Sequence, residues 1–436
     1  MSFSQILKDF YQTIFKSVFT RYLNVITNFI FLMVLSRTFS PYEFGIIAAL
    51  NVFHILALTL SEGGLNPIVI NIKKLKDSQR DGLFSFTFFL GALFAFLFFI
   101  FSDLIANFYN IERITEIIPF FTASILLVFL NSIPLSFLQR EKKFIQISTS
   151  LFFAEIASSV AAVVLIGFID PLLALASKIT IHSLINFSLC IIFCSTTQFG
   201  IPKFGFDLSL LPKLFKDAKY QYSFSITNFF SRNIDNVLVG KFLGVSSLSV
   251  YDRAYLLMKY PIQLITFALT PAIQPVITKM ENKNEILKIH NIFILRLSII
   301  AAFAGLFCFL LSEQIVFIIL GNQWGDVVPI FQLLSISLPL QIVYASHGGF
   351  FQAMNKFKLL FLLSLFSTVL FLLAFLYGVS QQSLEILCWG FNYAFLATFV
   401  TTYVCMYKYL FKRNHFQFFL RTSPSLLAFF IMAYLI

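Results

Sequence analysis

Charged residues are scarce in this sequence, and acidic residues are the scarcer sign. Asp, Glu, Lys and Arg make up 12% of the 436 residues, whereas a typical soluble domain has about 25%. Hydrophobic residues make up 58% of the chain, and the mean hydropathy is +0.86. So few charges cannot cover a water-facing surface of this size, which excludes a soluble globular protein. We therefore expect lipid to be the solvent of this chain.

Cysteine is also scarce, and its placement excludes a disulfide-stabilised secreted domain. All five cysteines lie in apolar runs, and no neighbouring His or acid completes a metal-ligand set around them. A cleavable signal peptide is not evident either, because the N-terminus is polar and the first apolar run carries Arg21 and Asn24. That run is expected to be retained as the first membrane span.

Long apolar runs are abundant, and a spanning helix needs about 20 such residues. Twelve spans are predicted, near residues 15–36, 44–66, 83–102, 114–137, 144–168, 171–195, 219–242, 247–277, 289–311, 327–350, 358–378 and 383–408. A further apolar run, 424–436, looks too short to cross, so it is expected to be a half-helix or the start of a truncated span. The range considered is therefore twelve to fourteen helices.

The basic residues follow the alternation of loops that these spans define. Twenty-one of them fall in one alternate set of loops and three in the other. Cytoplasmic loops are the basic ones, so the N-terminus is predicted to be cytoplasmic. The same loops account for the net charge of +11 without nucleic acid as a partner. The longest loop, 196–218, is basic and amphipathic and is expected to connect two halves along the inner leaflet.

A weak internal repeat supports a division of the chain into two similar halves. With a shift of 204 residues, Asn24 aligns with Asn228 and Pro67 aligns with Pro271. Six spans precede the connector and six follow it, which favours a parallel repeat. The sequence thus predicts an all-α membrane protein with two six-helix lobes around a central cavity. The predicted divisions are a first lobe (1–195), the connector (196–218), a second lobe (219–410), and a cytoplasmic loop with a partial span (411–436).

Charged residues inside the spans indicate where function lies, because each costs roughly 2.5–3.5 kcal/mol at a helix centre. Seven are basic and four are acidic, which favours an anionic ligand such as a phosphate, matched by the arginine fork. Lys16, Lys178 and Arg253 lie near span ends and are expected to snorkel to the headgroups. The predicted cavity residues are Arg21, Asn24, Asn28, Asn228, Arg232, Lys259 and Arg296.

The four acids are predicted to pair with these cations or to couple ion movement; they are Glu62, Glu155, Asp235 and Asp252. Asn24 and Asn28 follow Arg21 on one face of the first helix. Two alternatives stay open for the polar positions. The asparagines could hydrogen-bond between helices without a cavity, and Arg232 could pair with Asp235 on its own helix.

Several motifs resemble those of Wzx-type polysaccharide flippases, which belong to the multidrug/oligosaccharidyl-lipid/polysaccharide exporter superfamily. They are Leu35–Gly45, Ser61–Leu65, Leu138–Phe144, Asn233–Gly244 and Tyr251–Tyr255. The closest resemblance is to the lipopolysaccharide and colanic-acid exporter branch. It implies a flippase, not an enzyme, that moves undecaprenyl-pyrophosphate-linked oligosaccharide across the bacterial inner membrane by alternating access. It also implies that transport is coupled to movement of H⁺ or Na⁺ without another cofactor. The partners it implies are a polysaccharide polymerase and a chain-length regulator.

Two other functions stay open from the sequence. A multidrug or cation antiporter of the same fold would need acids facing the cavity, for which Glu62 and Glu155 are the candidates. A membrane-embedded polysaccharide polymerase or glycosyltransferase would usually carry a large outer loop with acids or histidines. The outer loops here are short, and the five histidines form no motif.

Overall fold

The computed structural model describes residues 22–62, 66–72, 75–277, 280, 283–414 and 416–436. Within them the chain is helical, as expected where no water is present to hydrogen-bond exposed backbone groups. The helices are α1 (Tyr22–Thr38), α2 (Pro41–Glu62), α3 (Asn66–Asn71), α4 (Asp77–Ile100), α5 (Ser102–Tyr109), α6 (Ile114–Arg140), α7 (Phe144–Leu165), α8 (Pro171–Cys194), α9 (Leu211–Leu238), α10 (Gly244–Ile277), α11 (Lys283–Leu310), α12 (Ser312–Ile319), α13 (Val327–Ser335), α14 (Leu338–Tyr344), α15 (His347–Ala353), α16 (Phe357–Ser380), α17 (Leu384–Cys405) and α18 (Phe416–Leu435).

Nine helices in the described parts of the chain are long and apolar enough to cross a membrane. A tenth span is formed if α13 joins the helical stretch Leu338–Ala353, to which it is bent by 50°. The integral membrane class is therefore confirmed, while the predicted count of twelve is not. Three predicted spans are not among these ten. The described part of the first, α1, is too short, and α9 and α10 are 28 and 34 residues long but carry many polar side chains, whereas α18 is counted in addition.

The end of the chain corrects one expectation. The run 424–436 is not a short separate segment, because α18 begins at Phe416 and has 20 residues, enough to cross the hydrocarbon core. Pro424 lies inside this helix and does not start it. Helix α18 packs on α11, where the hydroxyl oxygens of Ser298 and Ser425 lie 2.8 Å apart.

The chain divides into two compact units, Met1–Val237 and Leu238–Ile436. In unit 1, α6 packs against α2, α3, α4 and α8, and its buried polar groups find partners on its neighbours. Ser132 Oγ lies 2.8 Å from the Ser61 carbonyl oxygen and 2.7 Å from Asn66 Oδ1. The arrangement of two lobes around a central cavity stays a prediction.

In unit 2, α11 packs against α13, α14 and α18, and α16 packs against α17. His290 of α11 is buried among aromatic rings, with the Phe350 ring centroid at 4.7 Å. The Tyr407 hydroxyl donates to Asn291 Oδ1 at 2.6 Å. Only 11% of the most apolar stretch of α16 is buried, so this helix faces lipid over most of its surface.

The repeat predicted from the sequence has a counterpart in helix boundaries. The first two helices of unit 1 are interrupted at residues 39–40. The shift of 204 residues carries this break to 243–244, where a π-helical turn, Val239–Leu243, ends and α10 begins. Gly244 has a φ of +84°, a conformation that favours glycine. The helices of the two segments are therefore interrupted at equivalent positions of the repeat.

Hydrogen bonds between loops of unit 1 follow the alternation that the basic residues predict. On the side predicted to be cytoplasmic, Lys143 Nζ donates to the Thr196 hydroxyl at 2.9 Å. On the opposite side, Arg113 Nη2 donates to Asp170 Oδ1 at 2.7 Å. Loops of the same predicted side thus lie together.

The first half of the predicted connector is an extended loop fastened to the start of α4. The backbone N–H of Lys203 donates to Asp81 Oδ1 at 2.9 Å, and that of Gly205 donates to Ser85 Oγ at 2.8 Å. Gly82 permits this approach, because a Cβ there would lie 2.0 Å from the Asp207 carbonyl oxygen. The second half of the connector already belongs to α9, which begins at Leu211.

Candidate functional site

Helices α2 and α9 line a cavity of about 430 Å³ in unit 1, which we call the polar cavity. Its walls are apolar at three positions and polar or charged at six. The lining residues are Ile55, Leu58, Thr59, Glu62, Ser225, Asn228, Phe229, Arg232 and Asn233. Three of the predicted site residues, Glu62, Asn228 and Arg232, therefore meet in one place.

Helical spacing explains how these side chains share a surface. On α9, Ser225, Asn228 and Arg232 are spaced i, i+3 and i+7, so they lie along one face of the helix. On α2, Thr59 and Glu62 are three residues apart and also share a face. Each helix thus contributes a short polar stripe to the polar cavity.

Some polar groups in the polar cavity are satisfied within their own helix. The Thr59 hydroxyl donates to the Ile55 carbonyl oxygen at 2.8 Å, and Asn233 Nδ2 donates to the Phe229 carbonyl oxygen at 2.8 Å. After these bonds the Thr59 hydroxyl can still accept a hydrogen bond, and Asn233 keeps one N–H donor and its carbonyl oxygen for a ligand.

The charged pair of the polar cavity is arranged differently. Arg232 is exposed, and among the described residues neither Arg232 nor Glu62 has a hydrogen-bond or ion-pair partner. The Arg232–Asp235 pair that the sequence left open is not formed. The guanidinium can offer a planar fork of N–H donors to a phosphate or carboxylate. The Glu62 carboxylate can accept a proton or a cation.

The described part of the polar cavity is less basic than the sequence analysis predicted. It carries one cation, Arg232, and one anion, Glu62, so its charges balance. Its affinity for an anion must therefore come from the geometry of the guanidinium and the neighbouring Asn228 amide, and not from a net positive field.

A comparison with family models decides the classification. Residues 34–329 match the model described as polysaccharide biosynthesis protein, a stretch that contains every residue lining the polar cavity. The chain belongs to this family. The resemblance that the motifs indicated is thereby confirmed.

Curated relatives of this polysaccharide biosynthesis protein carry consistent names. It is 22% identical to the lipopolysaccharide biosynthesis protein WzxC of Escherichia coli over 89% of this chain and 78% of that one. It is 22% identical to the teichuronic acid biosynthesis protein TuaB of Bacillus subtilis over 77% and 69%. The succinoglycan biosynthesis transport protein ExoT of Rhizobium meliloti is also 22% identical, over 83% and 73%.

Solved structures with a similar fold are transporters. The lipid II flippase MurJ in its inward closed conformation has a TM-score of 0.65 at 15% identity, covering 96% of this chain and 97% of that one. A multidrug resistance MATE family transporter in its inward-facing conformation also has a TM-score of 0.65 at 15% identity, covering 87% and 93%. These similarities show that the chain shares the fold of these two proteins.

The two other described cations predicted for the site lie in unit 2 of this polysaccharide biosynthesis protein. Lys259 is exposed, and its Nζ lies 5.1 Å from the ring centroid of Tyr255, one turn earlier on α10. Arg296 is exposed in a groove of about 420 Å³ on α11, among apolar side chains such as Ile292 and Phe293. Neither Lys259 nor Arg296 forms an ion pair with a described residue, so both can contact a ligand.

The other predicted acids are engaged in local contacts. Glu155 Oε2 lies 3.0 Å from Lys178 Nζ on α8. The expectation that Lys178 snorkels to the headgroups is therefore wrong, because packing of α7 on α8 brings an acid to it.

The two remaining acids are Asp235 of α9 and Asp252 of α10. Asp252 pairs with its neighbour Arg253 at 3.2 Å. Asp235 is buried, and its Oδ1 accepts the backbone N–H of Asn236 at 2.9 Å. Of the four acids, Glu62 alone lies in the polar cavity.

The first helix contributes less to the described site. Arg21 lies outside the described residues. Asn28 is exposed, and the Asn24 side-chain oxygen is buried without a hydrogen-bond partner among the described residues. Whether these three residues line a cavity stays a prediction.

Three polar residues of the polar cavity were not predicted from the sequence: Thr59, Ser225 and Asn233. A signal existed for Ser225, which precedes Asn228 by three positions and Arg232 by seven. The next turn of α9 differs, because Asp235 is buried whereas Arg232 is exposed.

Proposed function

We propose that this protein is a flippase for a lipid-linked oligosaccharide in polysaccharide biosynthesis. It carries the polyprenyl-pyrophosphate-linked sugar across the membrane by alternating access. It is a transporter and not an enzyme. The observation that carries this conclusion is the family match over 34–329 together with the Arg232 guanidinium in the polar cavity, which has no ion-pair partner among the described residues.

The chemistry of the polar cavity supports the choice of substrate. A pyrophosphate must leave water to cross the membrane, and it needs donors that replace its hydration. Arg232 supplies a bidentate fork, and the Asn228 amide, on the same helix face, supplies further donors. Lys259 and Arg296 serve the same headgroup at other stages of transport, since each is exposed and has no acid partner among the described residues.

Glu62 is the proposed site of ion coupling. An H⁺ or Na⁺ bound to its carboxylate would neutralise the acid that lies in the same cavity as Arg232. Ion binding and substrate release would then be linked through one cavity, because neutralising Glu62 changes how strongly the guanidinium holds an anion.

The protein is proposed to lie in the bacterial inner membrane with its N-terminus in the cytoplasm. The distribution of basic loop residues and the loop contacts on each side support this orientation. Its product is a lipid-linked repeat unit on the outer leaflet, so a polysaccharide polymerase and a chain-length regulator are the proposed partners downstream.

Flipping of a lipid-linked oligosaccharide in proteoliposomes tests this function. The purified protein should move the lipid between leaflets, and Arg232→Ala should reduce the rate about tenfold or more, the effect of losing one charge-assisted hydrogen bond. Arg232→Lys should retain part of the rate. Lys288→Ala, which removes an exposed charge at the cytoplasmic end of α11, is the matched control and should be unaffected. No flipping by the wild-type protein would contradict the proposal.

A cation antiporter is the second candidate, and Glu62 in the polar cavity is the observation that favours it. The two functions predict opposite results in the same vesicles. An antiporter would exchange a cationic dye for H⁺ or Na⁺, and Glu62→Gln would abolish the exchange while Arg232→Ala would not. The flippase predicts no dye exchange by the wild-type protein.

A further inference from the structure

A second, larger hollow in unit 1 lies beside the polar cavity, and we call it the apolar hollow. Its volume is about 570 Å³, and all sixteen of its lining residues are apolar. They come from α2, α4, α5, α6 and α9 and include Phe53, Leu56, Phe94, Leu97 and Leu104. The apolar hollow is open to its surroundings, because lining residues such as Leu104 are exposed, so an apolar ligand from the bilayer can enter it.

The apolar hollow and the polar cavity adjoin at one residue. Phe229 lines both of them. Helix α2 presents a different face to each, with Thr59 and Glu62 toward the polar cavity and Phe53 and Leu56 toward the apolar hollow. A ligand bound across Phe229 would therefore place one end beside a guanidinium and the other among apolar side chains.

We propose that the apolar hollow holds the first isoprene units of the substrate's polyprenyl chain while the pyrophosphate contacts Arg232. This inference rests on the proposed function and adds a binding site for the lipid part of the substrate. The combination of a purely apolar space and an adjoining phosphate donor fits an amphipathic anion, whereas a neutral apolar ligand would have no use for Arg232.

The size and accessibility of the apolar hollow agree with this occupant. An engineered apolar cavity of about 150 Å³ binds one benzene, so 570 Å³ has room for roughly twenty carbon atoms, or four isoprene units. Several lining residues are partly exposed, including Leu97 at 38% and Leu104 at 63%. The chain can therefore enter from the side, and the remainder of it can stay in the bilayer.

Photocrosslinking tests the location directly. Geranylgeranyl pyrophosphate that carries a diazirine on its chain should label peptides from α2, α4 or α9 of the wild-type protein. Unlabelled geranylgeranyl pyrophosphate should compete at least about tenfold better than phosphatidylethanolamine, because only the former presents a pyrophosphate with a free terminal phosphate group to Arg232. Labelling elsewhere, or equal competition by phosphatidylethanolamine as for an ordinary lipid site, would overturn the inference.

Variants that fill the apolar hollow give a second test. Leu97→Trp and Leu104→Trp change partly exposed side chains, so the fold should tolerate them. Flipping of a long-chain substrate should fall about tenfold, the effect of displacing two buried methylene groups, while binding of inorganic pyrophosphate, which has no chain, should be little affected. Leu93→Trp, at 52% exposure on the same helix but outside the hollow, is the control.

The two possible failures are distinguishable. Equal loss for the long-chain lipid and for inorganic pyrophosphate, or no loss for either, would contradict the chain-binding site while leaving the proposed function of the wild-type protein intact. A wild-type protein that does not flip the long-chain substrate would count against the proposed function, and the crosslinking result would then decide whether the apolar hollow still binds the pyrophosphate lipid.

Discussion

Charged residues within the helices of unit 1 behave in two distinct ways. Glu155 and Lys178 lie 3.0 Å apart and neutralise each other, whereas Arg232 is exposed to a cavity and has no partner among the described residues. The sequence could identify all three as costly inside a membrane. It could not distinguish them, because pairing depends on which helices pack together, and Glu155 and Lys178 are on different helices.

The Glu155–Lys178 pair should be structural. Lys178→Met leaves the Glu155 carboxylate without its cation, and breaking a buried pair costs roughly 3–5 kcal/mol, less here because both side chains are partly exposed. We expect a lower unfolding temperature in detergent for Lys178→Met and substantial recovery in Glu155→Gln/Lys178→Met. An unchanged unfolding temperature in the single variant would show that the pair contributes little.

At the scale of helices, the sequence predicted most elements and failed where polar residues obscured a boundary. Helices α9 and α10 were predicted as spans although their apolar character is weak, and their polar residues include Arg232 and Lys259. Helix α18 was shortened because the polar run that includes Arg421 was assigned to the preceding loop. Its true start depends on packing against α11, to which the sequence pattern gives no access.

The loop that fastens the connector to α4 should respond to pH. The hydroxyls of Ser209 and Ser78 donate to the Asp207 carboxylate and lower its pKa from the ordinary value. A lowered pKa means that the stabilisation is present above the ordinary pKa of about 4 and is lost as pH falls below it.

Limited proteolysis of the connector should therefore accelerate below about pH 4 in the wild-type protein. In Asp207→Asn the cleavage rate should be raised at neutral pH and should depend less on pH, because of the two carboxylates that fasten the loop only Asp81 then remains to titrate. Ser209→Ala should shift the transition to higher pH. A wild-type connector whose cleavage does not change with pH would contradict the role assigned to Asp207.

At the scale of the whole molecule, hydropathy and loop charge predicted the membrane class, and the motifs predicted the family. The position of the candidate site was predicted only in part. Arg232, Asn228 and Glu62 meet in the polar cavity, but the sequence analysis expected a basic cavity and did not anticipate the adjoining apolar hollow. Such spaces arise from the packing of distant helices, which no local pattern encodes.

Orientation in the membrane can be tested with single cysteines and a membrane-impermeant maleimide. Asp103→Cys and Gln381→Cys should react in intact cells, because both positions are exposed on the side predicted to be external. Lys203→Cys and Lys356→Cys should react only after the membrane is permeabilised. The unmodified protein measures background from its own five cysteines, four of which are buried. The reverse labelling pattern would invert the topology.

Transport by this protein should depend on recognition of a pyrophosphate by Arg232, and a comparison of binding affinities tests this recognition most directly. The affinities of the wild-type protein and Arg232→Ala for geranylgeranyl pyrophosphate and for geranylgeraniol are measured in the same detergent. We predict that the wild-type protein prefers the pyrophosphate by about tenfold or more and that Arg232→Ala loses most of that preference, as expected for a charge-assisted hydrogen bond worth about 1.5–3 kcal/mol. An equal preference for the pyrophosphate in both proteins would contradict the assignment of Arg232 to the headgroup.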